Sequence, residues 1–103
     1  MRVTVRFVVI ERARLGVSID PKQFADLAAA DLKYKKKLEK EGKLIGGPCL
    51  DILADAYILE TETLEEMGEI FFNSPTNFVM DREVHPLGTF EDSLEGMKEM
   101  RKK

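Results

Sequence analysis

Asp31 is the residue whose position in this sequence most strongly suggests chemistry. It lies four residues after Leu27 and seven before Leu38 in a predicted helix, which puts a carboxylate at or beside an apolar stripe. A carboxyl group buried beside Leu27, Tyr34 and Leu38 is suited to act as a general acid or base. The alternatives are an ordinary carboxylate at the solvent edge of the stripe and a partner in a salt bridge between subunits.

Arg6 is the second candidate, as an anchor for a negatively charged group. It belongs to the less apolar of the two faces of the first predicted strand, where successive side chains alternate. A fixed guanidinium on that face could bind a substrate carboxylate or stabilise an enolate. The alternative is a structural ion pair with Asp81 or Glu83 across the sheet.

Four further side chains could take part in such a site. His85 is the only histidine and could carry protons near neutral pH, although the end of a strand just before a proline is often exposed. Tyr34 and Tyr57 could each offer a hydroxyl to a ligand, or pack their rings in the core. Glu83 occupies an alternating polar position on a strand, which is typical of a solvated or paired carboxylate.

The sequence predicts no metal centre and no resident cofactor. His85 has no second histidine to join it, and the single cysteine, Cys49, does not complete a ligand set. The sequence also has no glycine-rich phosphate loop, nucleophile elbow or catalytic triad. Binding of haem through the lone histidine is the alternative that these patterns leave open.

The elements that must position these residues follow the order β-α-β-β-α-β, with one further helix at the C-terminus. Strands are predicted over residues 2–10, 43–50, 56–61 and 78–85, with a loop over residues 11–19. The first helix should run from Pro21 to about Glu41, the second should begin after its N-cap Thr63, and the third should follow Gly88. This order predicts a ferredoxin-like α+β fold, as a single domain over residues 1–103.

In that fold both central helices cover the same face of the sheet. The other face carries Val8 and Ile10, which would be better protected by pairing with the sheet of a second subunit than by solvent. A homodimer or larger homo-oligomer is therefore expected, in the form of a dimeric α/β barrel. A cavity between or beneath the sheets would accept a small-molecule ligand.

Charge and composition narrow the partners further. The net charge of -3 argues against a general nucleic-acid binder. We interpret the lysine run as the solvated face of the first helix; its members are Lys33, Lys35, Lys36, Lys37 and Lys40. The single cysteine and the lack of any targeting or membrane-spanning segment favour a cytoplasmic protein with no membrane partner.

The stretch from Ser74 to Leu87 resembles the closing motif of the muconolactone isomerase family. The matching positions are Pro75, Met80, Asp81, Glu83, Val84, Pro86 and Leu87. The resemblance implies a cofactor-free dimeric α/β barrel that assembles into larger rings and shifts a double bond within an unsaturated lactone acid. It also implies a proton-carrying carboxylate on the first helix, where Asp31 replaces the glutamate of the family.

The leading interpretation is a cofactor-independent isomerase that acts by proton transfer on a small carboxylated lactone or conjugated cyclic molecule. Asp31 would be the acid or base, and Arg6 would hold the substrate anion in the same pocket. A non-catalytic ligand-binding or assembly protein is the alternative, and a haem-handling or oxygenase barrel is a third possibility. A polar cavity with convergent ionisable groups would favour the enzyme.

Overall fold

The computed structural model describes residues 4–14, 16 and 18–102 and contains the seven predicted elements in the predicted order. In chain order they are β1 (Val5–Ala13), α1 (Pro21–Lys40), β2 (Leu44–Pro48), β3 (Ala54–Thr61), α2 (Leu64–Phe72), β4 (Met80–Pro86) and α3 (Phe90–Arg101). The strands form one antiparallel sheet in the order β2-β3-β1-β4. The ferredoxin-like α+β fold expected from the sequence is thereby confirmed.

The two central helices begin at the caps that the sequence predicts. The Asp20 side chain accepts a hydrogen bond from the Gln23 backbone at the start of α1, and Pro21 fills the first helical position. Thr63 caps α2 by accepting from the Glu66 backbone at 3.1 Å. Gly42, which has a φ of +76°, directly follows the C-cap residue Glu41 and ends α1.

The hydrophobic core lies between the two central helices and one face of the sheet. Alternate residues of the two middle strands point into it, Phe7 and Val9 from β1 and Leu59 from β3. Leu38 of α1 and Ile70 of α2 close it from the helical side. The helix that carries Asp31 and Tyr34 therefore lies over the same strands that carry the core.

The opposite face of the sheet has no element of this chain packed on it among the described residues. Its centre is apolar, because Val8 lies beside Ile58 in β3 and Ile58 lies beside Ile45 in β2. Ile45 is 68% exposed. We call this surface, with Ile10 added from β1, the open face.

Several predicted boundaries were wrong, and two of them matter for the site. β3 begins at Ala54 instead of residue 56, so that Asp55 lies in the strand and not in the preceding turn, and β1 is longer than predicted. β1 continues to Ala13, because residues from Glu11 onward pair with β3 on one side and with β4 on the other. The loop predicted to begin at Glu11 therefore begins after Ala13. β4 begins at Met80 instead of Phe78, because hydrogen-bonded turns occupy the preceding residues.

The third helix, α3, extends away from the sheet and has no buried residue. Its apolar side chains, Phe90, Leu94 and Met97, follow the predicted helical spacing and are exposed. Among the described residues no helix combines the length and the apolar character needed to cross a membrane.

Gly46 is a point of close approach between β2 and β3. Its φ of +153° lies in a region that favours glycine, and a Cβ there would lie 2.5 Å from the Tyr57 Cα and closer still to the Ala56 carbonyl oxygen. The absence of a side chain at this position thus allows Tyr57 to sit where it does.

We expect Gly46→Ala to lower the free energy of unfolding by about 1–3 kcal/mol, because the new Cβ forces the backbones of β2 and β3 apart. Urea unfolding measures the change. Gly47→Ala is the matched control, since a Cβ at Gly47 meets no atom within 4 Å. Equal losses in the two variants would contradict the assignment of the close approach to Gly46.

Candidate active site

The side chain of Lys35 lies at the centre of a buried ionic cluster between α1 and the sheet. Its Nζ is 2.6 Å from Asp31 Oδ2, 2.6 Å from Asp55 Oδ2 and 3.0 Å from Glu11 Oε1. Asp31 is one helical turn before Lys35 on α1, whereas Asp55 and Glu11 face each other on β3 and β1. One ammonium group therefore joins the helix to the two middle strands of the sheet.

Glu11 is the innermost member of the cluster and is fully buried. The Tyr57 hydroxyl donates a hydrogen bond to Glu11 Oε1 at 2.5 Å, and Arg82 donates to Oε2 through Nη2 at 3.0 Å. The Arg82 guanidinium is itself held by the ring of Phe71, at 4.2 Å, and by Asn77 Oδ1, at 3.0 Å. Both oxygens of Glu11 are thus satisfied, as a buried carboxylate requires.

Asp31 connects the cluster to the segment between α2 and β4. Its Oδ1 accepts a hydrogen bond from the Ser74 hydroxyl at 2.8 Å, while its Oδ2 contacts Lys35. The Ser74 hydroxyl also lies 3.3 Å from that of Thr76. Asp31 therefore lies in a buried polar environment, in contrast to the solvent-edge alternative considered from the sequence.

The charges of the cluster are three carboxylates against two cations, a formal sum of one negative charge. Burial alone would raise the pKa of Glu11, but the Tyr57 hydrogen bond and the charges of Lys35 and Arg82 outweigh it and lower that pKa. Burial would likewise lower the pKa of Lys35, and its carboxylate partners raise it instead. Lys35 is accordingly a fixed cation at neutral pH.

Tyr57 completes the cluster as a neutral hydrogen-bond donor. Burial, together with the adjacent Glu11 charge, raises the pKa of its hydroxyl far above the usual value. The phenol therefore keeps its proton and donates a hydrogen bond to Glu11. The ring of Tyr57 also lies beneath the Lys35 ammonium, 5.4 Å from the centroid.

Two clefts lead from the surface to this cluster. The α1–β2 cleft has a volume of about 260 Å³, and Lys35, Asp55 and Tyr57 contribute to its wall together with Leu32 and Gly46. The loop cleft, between α1 and the chain that joins β2 to β3, has a volume of about 160 Å³. Its wall includes Asp31, Asp55 and Thr76.

Leu32 explains part of this opening. The helical spacing of the sequence predicts it in one buried stripe of α1 with Phe24, Leu27, Ala28 and Leu38, yet it is 49% exposed and borders both clefts. Salt bridges between α1 and the sheet replace apolar packing at this level of the helix. An apolar rim above a charged floor is the usual composition of a small-molecule site.

The structure brings two of the residues predicted from the sequence, Asp31 and Tyr57, into this cluster. Tyr34 lies on the same helix, but its hydroxyl donates to the Ile70 carbonyl oxygen at 2.9 Å and joins α1 to α2. Burial, with the charge of Asp31, raises the pKa of Tyr34. Tyr34 thus makes a structural contact within this chain.

The other three predicted residues, Arg6, Glu83 and His85, lie on the side of the sheet opposite the cluster. Arg6 faces Glu60 in β3, 3.9 Å from its carboxylate, and not Asp81 or Glu83. The antiparallel register of β1 and β3 sets this pairing. Within one chain the sheet therefore separates Arg6 from Asp31, and the two do not share a pocket.

Glu83 and His85 pair with each other on the exposed surface of β4. His85 Nε2 lies 2.8 Å from Glu83 Oε1, and both side chains are more than half exposed. The hydrogen bond and charge of His85 lower the pKa of Glu83. Neither residue approaches the clefts.

Sequence reasoning missed four members of the cluster, which are Glu11, Lys35, Asp55 and Arg82. Lys35 belongs to a lysine run that was predicted to be solvated, but its position four residues after Asp31 was a local signal for an ion pair. The other three residues come together only through strand pairing and helix packing, which no local spacing reveals.

The cluster is not arranged as a metal centre. Across residues 4–14, 16 and 18–102, no group of three or more histidine, cysteine, aspartate or glutamate side chains is placed to hold a metal ion. Where Glu11, Asp31 and Asp55 converge, the Lys35 ammonium supplies the positive charge.

We expect Glu11→Gln to lower the free energy of unfolding at pH 7 by about 3 kcal/mol, because it removes the buried carboxylate paired with the partly buried Arg82. Because the pKa of Glu11 is lowered in the folded chain, ionised Glu11 stabilises the fold above about pH 4.5. That stabilisation is lost as the pH falls below this value, so wild type and variant should converge in acid. Urea unfolding between pH 3 and pH 7 measures the difference.

Glu83→Gln is the matched control, because the pKa of Glu83 is also lowered but its carboxylate is exposed. We expect it to change stability little at any of these pH values. A Glu11→Gln variant that stays parallel to wild type down to pH 3 would contradict the role assigned to the Glu11 charge.

Comparison with known proteins bears on the fold. No family model matches the sequence, and no curated protein matches it. A solved structure described as the crystal structure of muconolactone isomerase at 3.3 Å resolution matches with a TM-score of 0.72 and 22% sequence identity, over 82% of this chain and 88% of that chain. The likeness confirms, at the level of the fold, the resemblance carried by the closing motif. This chain therefore has a muconolactone isomerase-like fold.

Proposed function

We propose that this chain is a cofactor-independent isomerase that moves a proton between two carbons of a small carboxylated lactone or conjugated cyclic substrate. The observation that carries the proposal is the meeting of one fixed ammonium, Lys35, with the carboxylates of Asp31 and Asp55 at the floor of two clefts. A base beside a cation is what abstraction of a proton next to a carbonyl group requires. The likeness to a solved isomerase structure is consistent with it.

In the proposed reaction a carboxylate takes a proton from a carbon adjacent to the substrate carbonyl. The electron pair of the broken C–H bond moves into the conjugated system, and the positive charge of the nearby Lys35 stabilises the enolate that forms. The protonated carboxyl group then returns a proton to a different carbon of that system. The double bond has shifted, and the carboxylate is regenerated without an external oxidant or reductant.

Asp31 is the carboxylate we assign to proton transfer, and Lys35 replaces Arg6 as the anion-stabilising cation. Asp31 lies in the wall of the loop cleft, and its second oxygen is oriented by Ser74. Lys35 lies on the same side of the sheet as Asp31, whereas Arg6 does not. A carrier and a cation in direct contact are better preorganised than two groups separated by the sheet.

We expect Asp31→Asn to reduce turnover by about 10²- to 10⁴-fold, since the amide cannot accept the substrate proton. The assay is ¹H NMR of unsaturated lactone acids in D₂O, which follows both isomerisation and exchange of carbon-bound protons. Thermal unfolding of the variant checks that the fold is retained.

Asp26→Asn is the matched control, because Asp26 lies on the same helix with its side chain in solvent. It should leave both exchange and isomerisation at the wild-type rate. If a folded Asp31→Asn variant exchanges substrate protons as fast as wild type does, Asp31 is not the proton carrier.

We further propose that two copies of the chain pair through the open face. The specific observation is the apolar centre formed by Val8, Ile45 and Ile58, which no described element of the chain covers. Charged residues such as Arg6 and Glu60 border this centre and would form the polar rim of an interface. The small size of the chain adds to the gain from covering it.

We expect Ile58→Lys to convert the assembly to monomers, because it places a charge in the middle of the open face. Sedimentation velocity measures the mass, and far-UV circular dichroism checks the fold. Leu50→Lys is the control, since Leu50 is fully exposed in the chain between β2 and β3 and outside the open face. An Ile58→Lys variant with the same mass as wild type would overturn the proposed interface.

A further inference from the structure

We infer that Asp55 is the displaceable partner of Lys35, and that the carboxylate of an anionic substrate takes its place on the ammonium. This inference rests on the proposed function and adds how the site admits its substrate. An ammonium group has three N–H donors, and three carboxylates lie within 3.0 Å of Lys35 Nζ. An incoming anion can therefore reach Lys35 only when one of these partners leaves.

Glu11 and Asp31 are each held by other groups. Glu11 also accepts hydrogen bonds from Tyr57 and Arg82 and has no exposed surface, so its departure would leave Arg82 without its carboxylate. The second oxygen of Asp31 accepts from Ser74, and its side chain is only 4% exposed.

Asp55 has no such second attachment. Within the part of the chain that the structure describes, Lys35 is the one side chain that holds its carboxylate. Its side chain is 15% exposed, the most of the three carboxylates. Moving Asp55 therefore breaks one ion pair and regains hydration, which makes it the least costly of the three exchanges.

The positions of the two clefts also indicate Asp55 as the carboxylate that leaves Lys35. Asp55 is the charged residue that borders both the α1–β2 cleft and the loop cleft, so its carboxylate stands between the two spaces. Rotation of this side chain away from Lys35 would join them beside the ammonium. A ligand that spans both would place its anionic group on Lys35 and its remaining atoms near Asp31.

The charge of the cluster indicates the class of anion. Three carboxylates and two cations sum to one negative charge. When the carboxylate of a substrate replaces that of Asp55, the number of negative charges in contact with the two cations does not change. A dianion such as phosphate would add a further negative charge beside Glu11 and Asp31. The geometry therefore favours a carboxylate over a phosphate at this position.

The test is rescue of a vacated site by acetate. In Asp55→Ala the ammonium has one free donor facing the clefts, and acetate binding to the folded chain should raise its Tm. At about five times its Kd, acetate is expected to raise the Tm of this variant by roughly 4–8 °C above the value in chloride at equal ionic strength. The Kd of Asp55→Ala for acetate, measured by calorimetry, should be about tenfold lower than the Kd of wild type for acetate.

Two comparison variants make the result specific. Glu39→Ala removes an exposed carboxylate from the wall of the same α1–β2 cleft without touching Lys35, and it should show no acetate effect beyond wild type. The double variant Asp55→Ala, Lys35→Met should lose the response, since it lacks the ammonium. Inorganic phosphate should rescue Asp55→Ala less than acetate does.

An acetate response of Glu39→Ala as large as that of Asp55→Ala, or no response of Asp55→Ala, would overturn the inference. Neither result would bear on the isomerase proposal. That proposal is tested separately, by the proton exchange that wild type is expected to catalyse and Asp31→Asn to lose. Rescue of Asp55→Ala by acetate in a chain with no exchange activity on lactone acids would do the reverse, supporting a carboxylate site without isomerase chemistry.

Discussion

The burial of Glu11 in the middle of the sheet constrains more of this structure than any other single feature. Glu11 lies on β1, which pairs with β3 on one side and β4 on the other, and its carboxylate points to the helical side with no exposed surface. A charge in that position is tolerable only if cations and hydrogen-bond donors meet it. β3 supplies Tyr57, β4 supplies Arg82 and α1 supplies Lys35, so three elements are positioned by one carboxylate.

The same constraint produces the clefts. At the level of Lys35 the contact between α1 and the sheet is made by ion pairs, and these do not fill space as branched apolar side chains do. β2 has glycine at positions 46 and 47, so little side-chain volume stands between α1 and the end of the sheet. The floor of the opening is charged and its rim is apolar.

The fold could be predicted from the sequence because its signals are local. Alternation, helix caps and punctuating residues mark the elements, and the order of the elements leaves few arrangements for the sheet. The site was only partly predictable. Asp31 stood out because a carboxylate interrupts the stripe of α1, but Glu11 was predicted to be the first residue of the loop after the first strand.

Lys35 was hidden in a run of lysines for a related reason. A helix presents solvent on most of its circumference, so one lysine that turns inward cannot be distinguished by composition from its exposed neighbours. Arg6 was the more visible cation because it interrupts an apolar strand, yet the pairing register directs it to Glu60 on the other side of the sheet. The strand register determines which residue lies opposite Arg6, and this register is a property of the assembled sheet.

The fork between Glu11 and Arg82 also has a consequence for how related sequences can diverge. Loss of Glu11 alone leaves the Arg82 guanidinium without its carboxylate, and loss of Arg82 alone leaves Glu11 Oε2 without its donor. Lysine is a poor stand-in for Arg82, because it lacks the planar guanidinium that stacks on Phe71 while donating to Glu11 and Asn77. Positions 11 and 82 should accordingly be inherited as a pair, and a lineage that gives up one should give up the other.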